Sequence, residues 1–138
     1  GVNILTKGKY ETVRPDFDLF KAAGVHFGVT CCWSKDESRA EWEPNASTLL
    51  ERMKLLQEAH DMGIYTWVSM EPVVYPAEAL EFFSSMRTWV DLWKVGKLNY
   101  HEHAKTVDWV KFRTDFTALA DKLGITNYII KKDLLNAR

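Results

Sequence analysis

The chain contains two kinds of segment that differ in the spacing of their apolar residues. Short runs rich in Val, Ile, Tyr, Phe, Trp and Thr are typical of β-strands. Five such runs occur, at residues 3–6, 25–32, 64–70, 92–98 and 127–130. Between them, apolar residues recur every three or four positions, as on one face of an amphipathic helix. The pattern therefore predicts strands and helices that alternate along the chain, beginning and ending with a strand.

Four helix starts are predicted from residues that favour the first turn of a helix. Pro15 suits the first position of a short helix that ends near Ala23, and Pro76 suits the first position of another. Ser47 and Thr106 are predicted to cap the two remaining helices with their hydroxyl groups. The helix after Thr106 has the most regular pattern, with apolar residues at Trp109, Phe112, Phe116, Leu119, Ala120 and Leu123.

Three glycines mark the junctions between helices and strands. Gly24, Gly63 and Gly124 each follow a helix-like segment and precede an apolar run, as a glycine just beyond a helix C-terminus does. Strands joined through helices are predicted to be parallel, with right-handed crossovers. Two α/β architectures fit this order, an open doubly wound sheet and an arc of a (β/α) barrel. In both, functional residues lie at the carboxyl ends of the strands.

Composition sets the class of protein. The 138 residues are 46% hydrophobic and 13% aromatic, which excludes intrinsic disorder and fits a single α/β domain over residues 1–138. Lys and Arg total 18 against 19 Asp and Glu, so overall charge does not draw the chain to nucleic acid or to an anionic membrane. No apolar run approaches the roughly 18 residues of a membrane span, and no signal-peptide core is present. We therefore expect a cytoplasmic protein without membrane contact.

Charged residues follow the first and third apolar runs. Lys7 directly follows the first run, where an ammonium group would hold a carboxylate or phosphate; the alternative is a solvated lysine. Glu71 directly follows the third run, where a carboxylate would bind a ribose hydroxyl or an amine, or act as a general base. The alternative for Glu71 is a structural ion pair with a lysine of a neighbouring strand, such as Lys97. The residues alone leave both alternatives open.

Three further groups of residues have weaker chemical signatures. His101 and His103 form a pair that would supply two metal ligands, but no third ligand stands at a known spacing, so a solvated loop is favoured. Cys31 and Cys32 are adjacent, lack the spacing of a zinc site, and are interpreted as structural thiols. Glu43 and Arg52 are predicted to form an ion pair that fixes the intervening loop.

An ordered series of motifs resembles the radical S-adenosylmethionine (SAM) proteins of the spore photoproduct lyase type, which are often described as DNA repair photolyases. The resemblance covers most of the chain. Its segments are ILTKG at 4–8, RPD at 14–16, VHFGVT at 25–30, WEPNA at 42–46, LER at 50–52, AHDMGI at 59–64, VSMEPV at 68–73 and WKVGKLN at 93–99.

The resemblance implies a partial (β/α)6 barrel that binds SAM beside a [4Fe-4S] cluster and cleaves it to a 5′-deoxyadenosyl radical. In the spore-lyase branch this radical repairs a thymine dimer in DNA. The family's Cys-x3-Cys-x2-Cys motif precedes the segment that matches residues 4–8, and vicinal Cys31 and Cys32 do not replace three spaced thiolates. We therefore expect this chain to be the C-terminal part of a longer enzyme, inactive alone and with neither SAM nor the cluster bound.

The resemblance also implies cofactor-binding positions. Lys7 matches a family lysine that lies near the cofactor carboxylate. Gly28 stands where the spore lyases have a cofactor-contacting serine, and Thr30 would partly replace that contact. Glu71 stands where they have a small residue, which implies a different contact to the ribose or the methionine amine.

The expected partners follow from the same interpretation. The missing N-terminal part of the same protein would complete the fold, and DNA is implied by resemblance alone. Without that part, residues 3–6 form a free strand edge, so a homodimer is expected unless the helix of residues 15–23 covers the edge. Two other classes of function remain as alternatives, a non-catalytic α/β interaction module and a fragment of a TIM-type hydrolase or isomerase that uses Glu71 as base.

Overall fold

A parallel five-stranded sheet forms the centre of the computed structural model, which describes residues 2–138. The strands pair in the order β1-β2-β3-β4-β5, so each strand lies beside the next one along the chain. This confirms the predicted α/β class and the parallel pairing. The strands are β1 (Asn3–Thr6), β2 (His26–Thr30), β3 (Thr66–Val73), β4 (Leu92–Lys97) and β5 (Tyr128–Ile130).

Helices occupy every connection between the strands. They are α1 (Tyr10–Val13), α2 (Phe17–Ala23), α3 (Asp36–Trp42), α4 (Leu49–Asp61), α5 (Pro76–Met86), α6 (Trp109–Leu123) and α7 (Lys132–Leu135). Short 3₁₀ turns cover Arg14–Asp16, Arg87–Trp89 and Glu102–Thr106. The pattern did not predict α1, α3 and α7, because segments of four to seven residues are too short to display a helical repeat. Within the described residues, no helix has the length and apolar character needed to cross a bilayer.

The strand order bears on the two architectures that the sequence left open. A doubly wound sheet reverses its strand order at a switch point, and this sheet has no reversal within residues 2–138. Crossovers of one hand between successive neighbours would place the helices on one face of the sheet, and the strand side chains of the hydrophobic core do lie on one face. In the described part of the chain, β1 and β5 do not pair with each other, so the sheet is not closed.

The two faces of the sheet differ in composition. One face carries alternate strand residues that pack with the helices in the hydrophobic core: Phe27, Val29, Val68, Met70, Trp93 and Val95. The other face, which we call the open face, carries the residues between them, including Gly28, Trp67 and Lys94. Trp67 is buried but lies outside the main core cluster. The open face therefore combines a glycine, an aromatic ring and an ammonium group.

Three predicted helix starts are wrong by one or more residues. Thr48, not Ser47, caps α4: its hydroxyl accepts from the Glu51 backbone N–H in a capping box. Ser47 is buried instead and accepts from Arg52 Nε at 3.3 Å.

The other two corrections concern α2 and α6. Asp108, not Thr106, caps α6 by accepting from the Lys111 backbone N–H, while the Thr106 hydroxyl donates to the His103 carbonyl. Pro15 lies in the 3₁₀ turn before α2 rather than in α2 itself. Thr106 and Asp108 both favour the cap position, so residue type alone does not select between them.

Candidate functional site

The carboxyl ends of β1 and β2 are joined through a buried arginine. Arg52, on α4, has no exposed side-chain surface. Its guanidinium donates to the carbonyl of Thr30 at 2.9 Å, to the carbonyl of Ser47 at 3.0 Å and to Glu43 Oε2 at 3.0 Å. The predicted Glu43–Arg52 ion pair is therefore confirmed, and it fixes the loop after α3 against the end of β2.

Lys7 belongs to the same network on its solvent side. Its Nζ lies 3.4 Å from Glu43 Oε2, and its side chain is 44% exposed. The Lys7 carbonyl accepts from the Ser47 backbone N–H, which attaches the end of β1 to the same loop. An ammonium group has three donors, so this half-exposed lysine retains N–H groups for a ligand.

Glu43 is held as a carboxylate at the centre of this network. Burial by itself raises the pKa of Glu43, but the hydrogen bonds from Trp33 and Arg52 and the charges of Arg52 and Lys7 outweigh it and lower the pKa below its ordinary value. The Trp33 indole N–H donates to Oε1 at 2.7 Å. Glu43 therefore carries its negative charge at neutral pH and organises the cations around it.

Glu71, on β3, forms a separate ion pair that is directed toward β5. Its Oε1 lies 3.3 Å from Nζ of Lys131, which follows β5, and both side chains are about two-fifths exposed. The structural partner is thus Lys131 rather than the Lys97 suggested by the sequence. A Cβ on Gly96 would overlap the Glu71 carboxylate, so this glycine on β4 makes room for the side chain across the open face.

Gly28 makes room for an aromatic side chain. The Trp67 ring crosses from β3 onto β2, and a Cβ at residue 28 would overlap it. The Trp67 indole N–H donates to the His26 carbonyl at 3.4 Å, and Lys94 Nζ lies 4.5 Å from the ring centroid. Gly28 therefore seats Trp67 on the open face, with the Lys94 ammonium above it.

The structure brings the predicted residues to the side of the sheet where the strands have their carboxyl ends, but it does not bring them into one cluster. Lys7 directly follows β1, Thr30 is the last residue of β2, and Glu71 lies two residues before the end of β3, so all three are near the side on which the parallel strands end. The Glu43–Arg52 pair bridges Lys7 to the Thr30 carbonyl, whereas Glu71 pairs toward β5. Half-exposed groups of both charges at one edge suit a ligand that itself carries an ammonium and a carboxylate.

An aromatic and imidazole cluster, which we call the aromatic cluster, covers the same edge. Tyr75 is its centre: Trp42 Nε1 donates to the Tyr75 hydroxyl at 3.1 Å, and the Trp33 ring lies 6.2 Å away between centroids. His101 lies 4.8 Å from the Trp42 ring, and His103 lies 5.2 Å from the Tyr75 ring. The loops after β2, β3 and β4 therefore pack together through their rings.

The two imidazoles already have partners in the chain. His103 Nε2 donates to the Val74 carbonyl at 2.9 Å, and His101 Nδ1 accepts from the His103 backbone N–H at 3.0 Å. Within residues 2–138 there is no group of three or more His, Cys, Asp or Glu side chains placed to hold a metal ion. The His101 and His103 rings hold the loop after β4 against the loop after β3.

The two cysteines do not fit an iron–sulfur cluster. Both are buried, and burial raises the pKa of Cys31 to about 12 and the pKa of Cys32 well above its ordinary value. The Cys32 thiol donates to the Pro72 carbonyl at 2.9 Å. Cluster ligands are thiolates, so two protonated and buried thiols offer no ligand set.

Sequence reasoning missed two residues of the open face, Trp67 and Lys131, and it did not predict that Lys94 lies beside the Trp67 ring. Trp67 and Lys94 had a signal in the strand alternation: Trp67 lies between helix-facing Thr66 and Val68, and Lys94 interrupts an apolar run. Lys131 follows the last strand directly, as Lys7 follows the first. Alternation assigns such residues to a face but does not select the strand neighbour that each one contacts.

Comparison of the chain with protein-family models, with curated proteins and with solved structures found no match.

Proposed function

We propose that this chain supplies part of the SAM pocket of a radical SAM enzyme of the spore photoproduct lyase type. One observation carries the proposal: Lys7, Thr30 and Glu71, the positions implied by the motif resemblance, lie at or within two residues of the carboxyl ends of three adjacent parallel strands. Under this proposal the sheet is an arc of a partial (β/α)6 barrel. Its sequential strand order and its open face with polar side chains support that interpretation.

The proposed roles follow from charge and exposure. Lys7 would bind the carboxylate of the methionine moiety through the N–H groups not used by Glu43. Glu71 would accept from the amine or from the ribose hydroxyls, exchanging part of its contact with Lys131. Thr30, which is 8% exposed, would add a hydroxyl group. Gly28 would act indirectly, by allowing Trp67 to form the floor of the site.

The cluster requires a protein segment other than this one, since the two thiols here do not fit it. In such enzymes, cluster-bound SAM supplies the 5′-deoxyadenosyl radical. We therefore propose that this chain is inactive alone, that the N-terminal part of the same protein is its partner, and that it works in the cytoplasm. DNA enters as the substrate class of the spore-lyase branch only; the chain's net charge of -1 gives it no independent support.

Calorimetric titration tests the proposal in two steps. This chain alone is expected to bind SAM more weakly than about 1 μM, because the amine and carboxylate lack their cluster ligation. In the enzyme encoded by the complete reading frame, Lys7→Ala should weaken SAM binding about tenfold through loss of a charged hydrogen bond, while the exposed control Lys9→Ala should not. Sub-micromolar binding by this chain, or a reading frame without Cys-x3-Cys-x2-Cys, would overturn the assignment.

A second candidate function is protein pairing through β1. Leu5 on this edge strand is 49% exposed, Val2 just before it is 62% exposed, and Ile129 on the opposite edge strand is 51% exposed. Apolar strand edges recruit other strands, so a non-catalytic interaction module is the competing proposal. The SAM titration separates the two, because an interaction module would show no dependence on Lys7.

A further inference from the structure

A pocket of about 590 Å³ opens beyond the end of β4, on the loop that leads to α6. Lys97, Tyr100, His101, Lys105 and Trp109 contribute to its lining. Its volume lies in the range of small-molecule sites. None of Lys7, Gly28, Thr30 or Glu71 lines it, so it is a different place from the proposed cofactor edge.

Tyr100 is held in an unusual state at the rim of this pocket. Its φ is 57°, in the left-handed region that non-glycine residues rarely adopt, and its side chain is fully exposed. Residues kept in such conformations concentrate at ligand-binding positions. An exposed phenol ring offers a flat face on which a planar ring can stack.

The lining of the pocket carries positive charge. Lys97 Nζ lies 5.3 Å from the Trp109 ring centroid, a contact that places an ammonium beside an aromatic surface. Lys105 adds a second ammonium, and Glu102, at 3.2 Å from Lys105, is the one carboxylate in the described lining. His101 accepts at Nδ1 from the His103 backbone, so its neutral ring carries its proton on Nε2 and adds a donor.

We propose that this pocket binds a nucleoside phosphate, with the base stacked on Tyr100 and the phosphate held by Lys97 and Lys105. An aromatic face beside two ammonium groups matches a ligand that joins a planar ring to an anion, and neither part alone uses the whole pocket. The same chemistry occurs in a free nucleotide and in a unit of a nucleic-acid strand. The inference does not rest on the proposed SAM site, because the two sets of residues do not overlap.

Calorimetry on this chain tests the proposal with thymidine 5′-monophosphate, thymidine and inorganic phosphate. The nucleotide is expected to bind with a Kd of about 1 mM or tighter, and more tightly than either the nucleoside or phosphate. Tyr100→Ala should weaken nucleotide binding about fivefold or more. Tyr100→Phe should bind the nucleotide as tightly as the unsubstituted chain does, because stacking needs only the ring. Lys97→Gln should weaken binding of the nucleotide about fivefold and leave binding of thymidine unchanged.

Two controls keep this result separate from the cofactor proposal. Lys122→Gln removes an exposed ammonium at the far end of α6, about 20 Å along the helix from Trp109, and should leave binding unchanged. Loss of nucleotide binding in Lys7→Ala would assign the nucleotide to the proposed SAM pocket and overturn this proposal. Tighter binding of a 5′-phosphorylated pentathymidylate than of the mononucleotide assigns the site to a strand, and equal binding assigns it to a free nucleotide. Absence of nucleotide binding, or binding that Tyr100→Ala and Lys97→Gln both leave intact, would overturn the proposal.

Discussion

Arg52 holds together more parts of the candidate site than any other residue discussed above, because it joins the groups at the carboxyl ends of β1 and β2. A fully buried guanidinium is stable only when its donors are paired, and here the pairing joins the end of β2, the loop after α3 and Glu43. The sequence predicted the pair with Glu43 but not the contact with the Thr30 carbonyl. That contact makes Arg52 a positioning residue for two of the predicted site residues, since Glu43 in turn holds Lys7.

Arg52→Met is expected to lower the free energy of unfolding by about 3–5 kcal/mol, because it leaves Glu43 without its main partner in a mostly buried site. Urea denaturation would measure the loss, with exposed Arg87→Met as the matched control. Adding Glu43→Gln to Arg52→Met should recover part of the loss by removing the uncompensated charge. A loss no larger than that of the control would contradict the proposed role.

Acid is expected to weaken the fold through Glu43. Its pKa is lowered in the folded protein from an ordinary value of 4.5, so the unfolded chain binds more protons in the acidic range. Its contribution to stability is therefore complete above about pH 5 and is lost as the pH falls through 4.5 and then through the folded pKa. Asp36 and Glu51 shift in the same direction, through hydrogen bonds from Arg39 and from the Thr48 backbone respectively.

Unfolding free energies measured at a series of pH values from neutral to strongly acidic would check this dependence. Glu43→Gln should flatten the fall of stability in acid, whereas exposed Glu41→Gln should reproduce the unsubstituted curve. Identical slopes for Glu43→Gln and the unsubstituted chain would show that the Glu43 pKa is not lowered by folding.

At the scale of elements, the helix starts show how local chemistry and tertiary position combine. The segment before α6 offers both Thr106 and Asp108 as capping residues, and Asp108 caps because its side chain reaches the Lys111 N–H. Thr106 ends the Glu102–Thr106 turn, where its hydroxyl donates to the His103 carbonyl. That hydroxyl therefore does not cap α6. The long apolar face of α6 was readable from sequence, but its first residue depended on the turn that precedes it.

Asp108→Ala should cost about 1 kcal/mol of stability, the usual effect of removing a helix cap, and Thr106→Ala should cost less than about half of that. Thermal or urea unfolding of the two single variants would measure the difference. Equal losses would mean that the hydroxyl of Thr106 contributes as much to the start of α6 as the carboxylate of Asp108.

At the scale of the whole molecule, the free edge of β1 is the feature with the largest consequence. The alternative in which the helix of residues 15–23 covers β1 predicts a shielded strand, but the Leu5 side chain remains about half exposed. Leu5 shares its position across the sheet with Gly28 and Trp67, so it lies on the open face as well as on the edge strand. A second copy pairing here would bury apolar surface and satisfy strand hydrogen bonds together.

Light scattering at micromolar concentration is expected to give a dimer rather than the 16.0 kDa monomer. Leu5→Lys should return the chain to a monomer, because a charged side chain discourages edge pairing. Leu50→Lys, which changes a 73% exposed leucine on α4, should leave the dimer intact. A monomer for the unsubstituted chain, or dissociation by Leu50→Lys alone, would refute pairing through β1.

The sequence by itself determined the alternation of strands and helices, the parallel sheet and the placement of Lys7, Thr30 and Glu71 near the carboxyl ends of their strands. These features depend on local information: strand runs and helical repeats are periodic, and glycines such as Gly24 and Gly124 adopt the left-handed conformation that ends a helix. Parallel pairing was predictable because a helix between two strands returns the chain to the end of the sheet at which the first strand began. The Glu43–Arg52 pair was readable for a similar reason, since both residues flank one short loop.

Only the tertiary structure decided which distant side chains meet. Glu71 pairs with Lys131, Trp67 fills the space above Gly28, and Tyr100 projects from its pocket because strand neighbours and loop packing place them there. Several lysines compete equally for one carboxylate in a sequence, and Coulomb attraction selects whichever the fold brings within a few ångströms. The register of the strands and the direction of each loop, which depend on the packing of the whole core, make that selection.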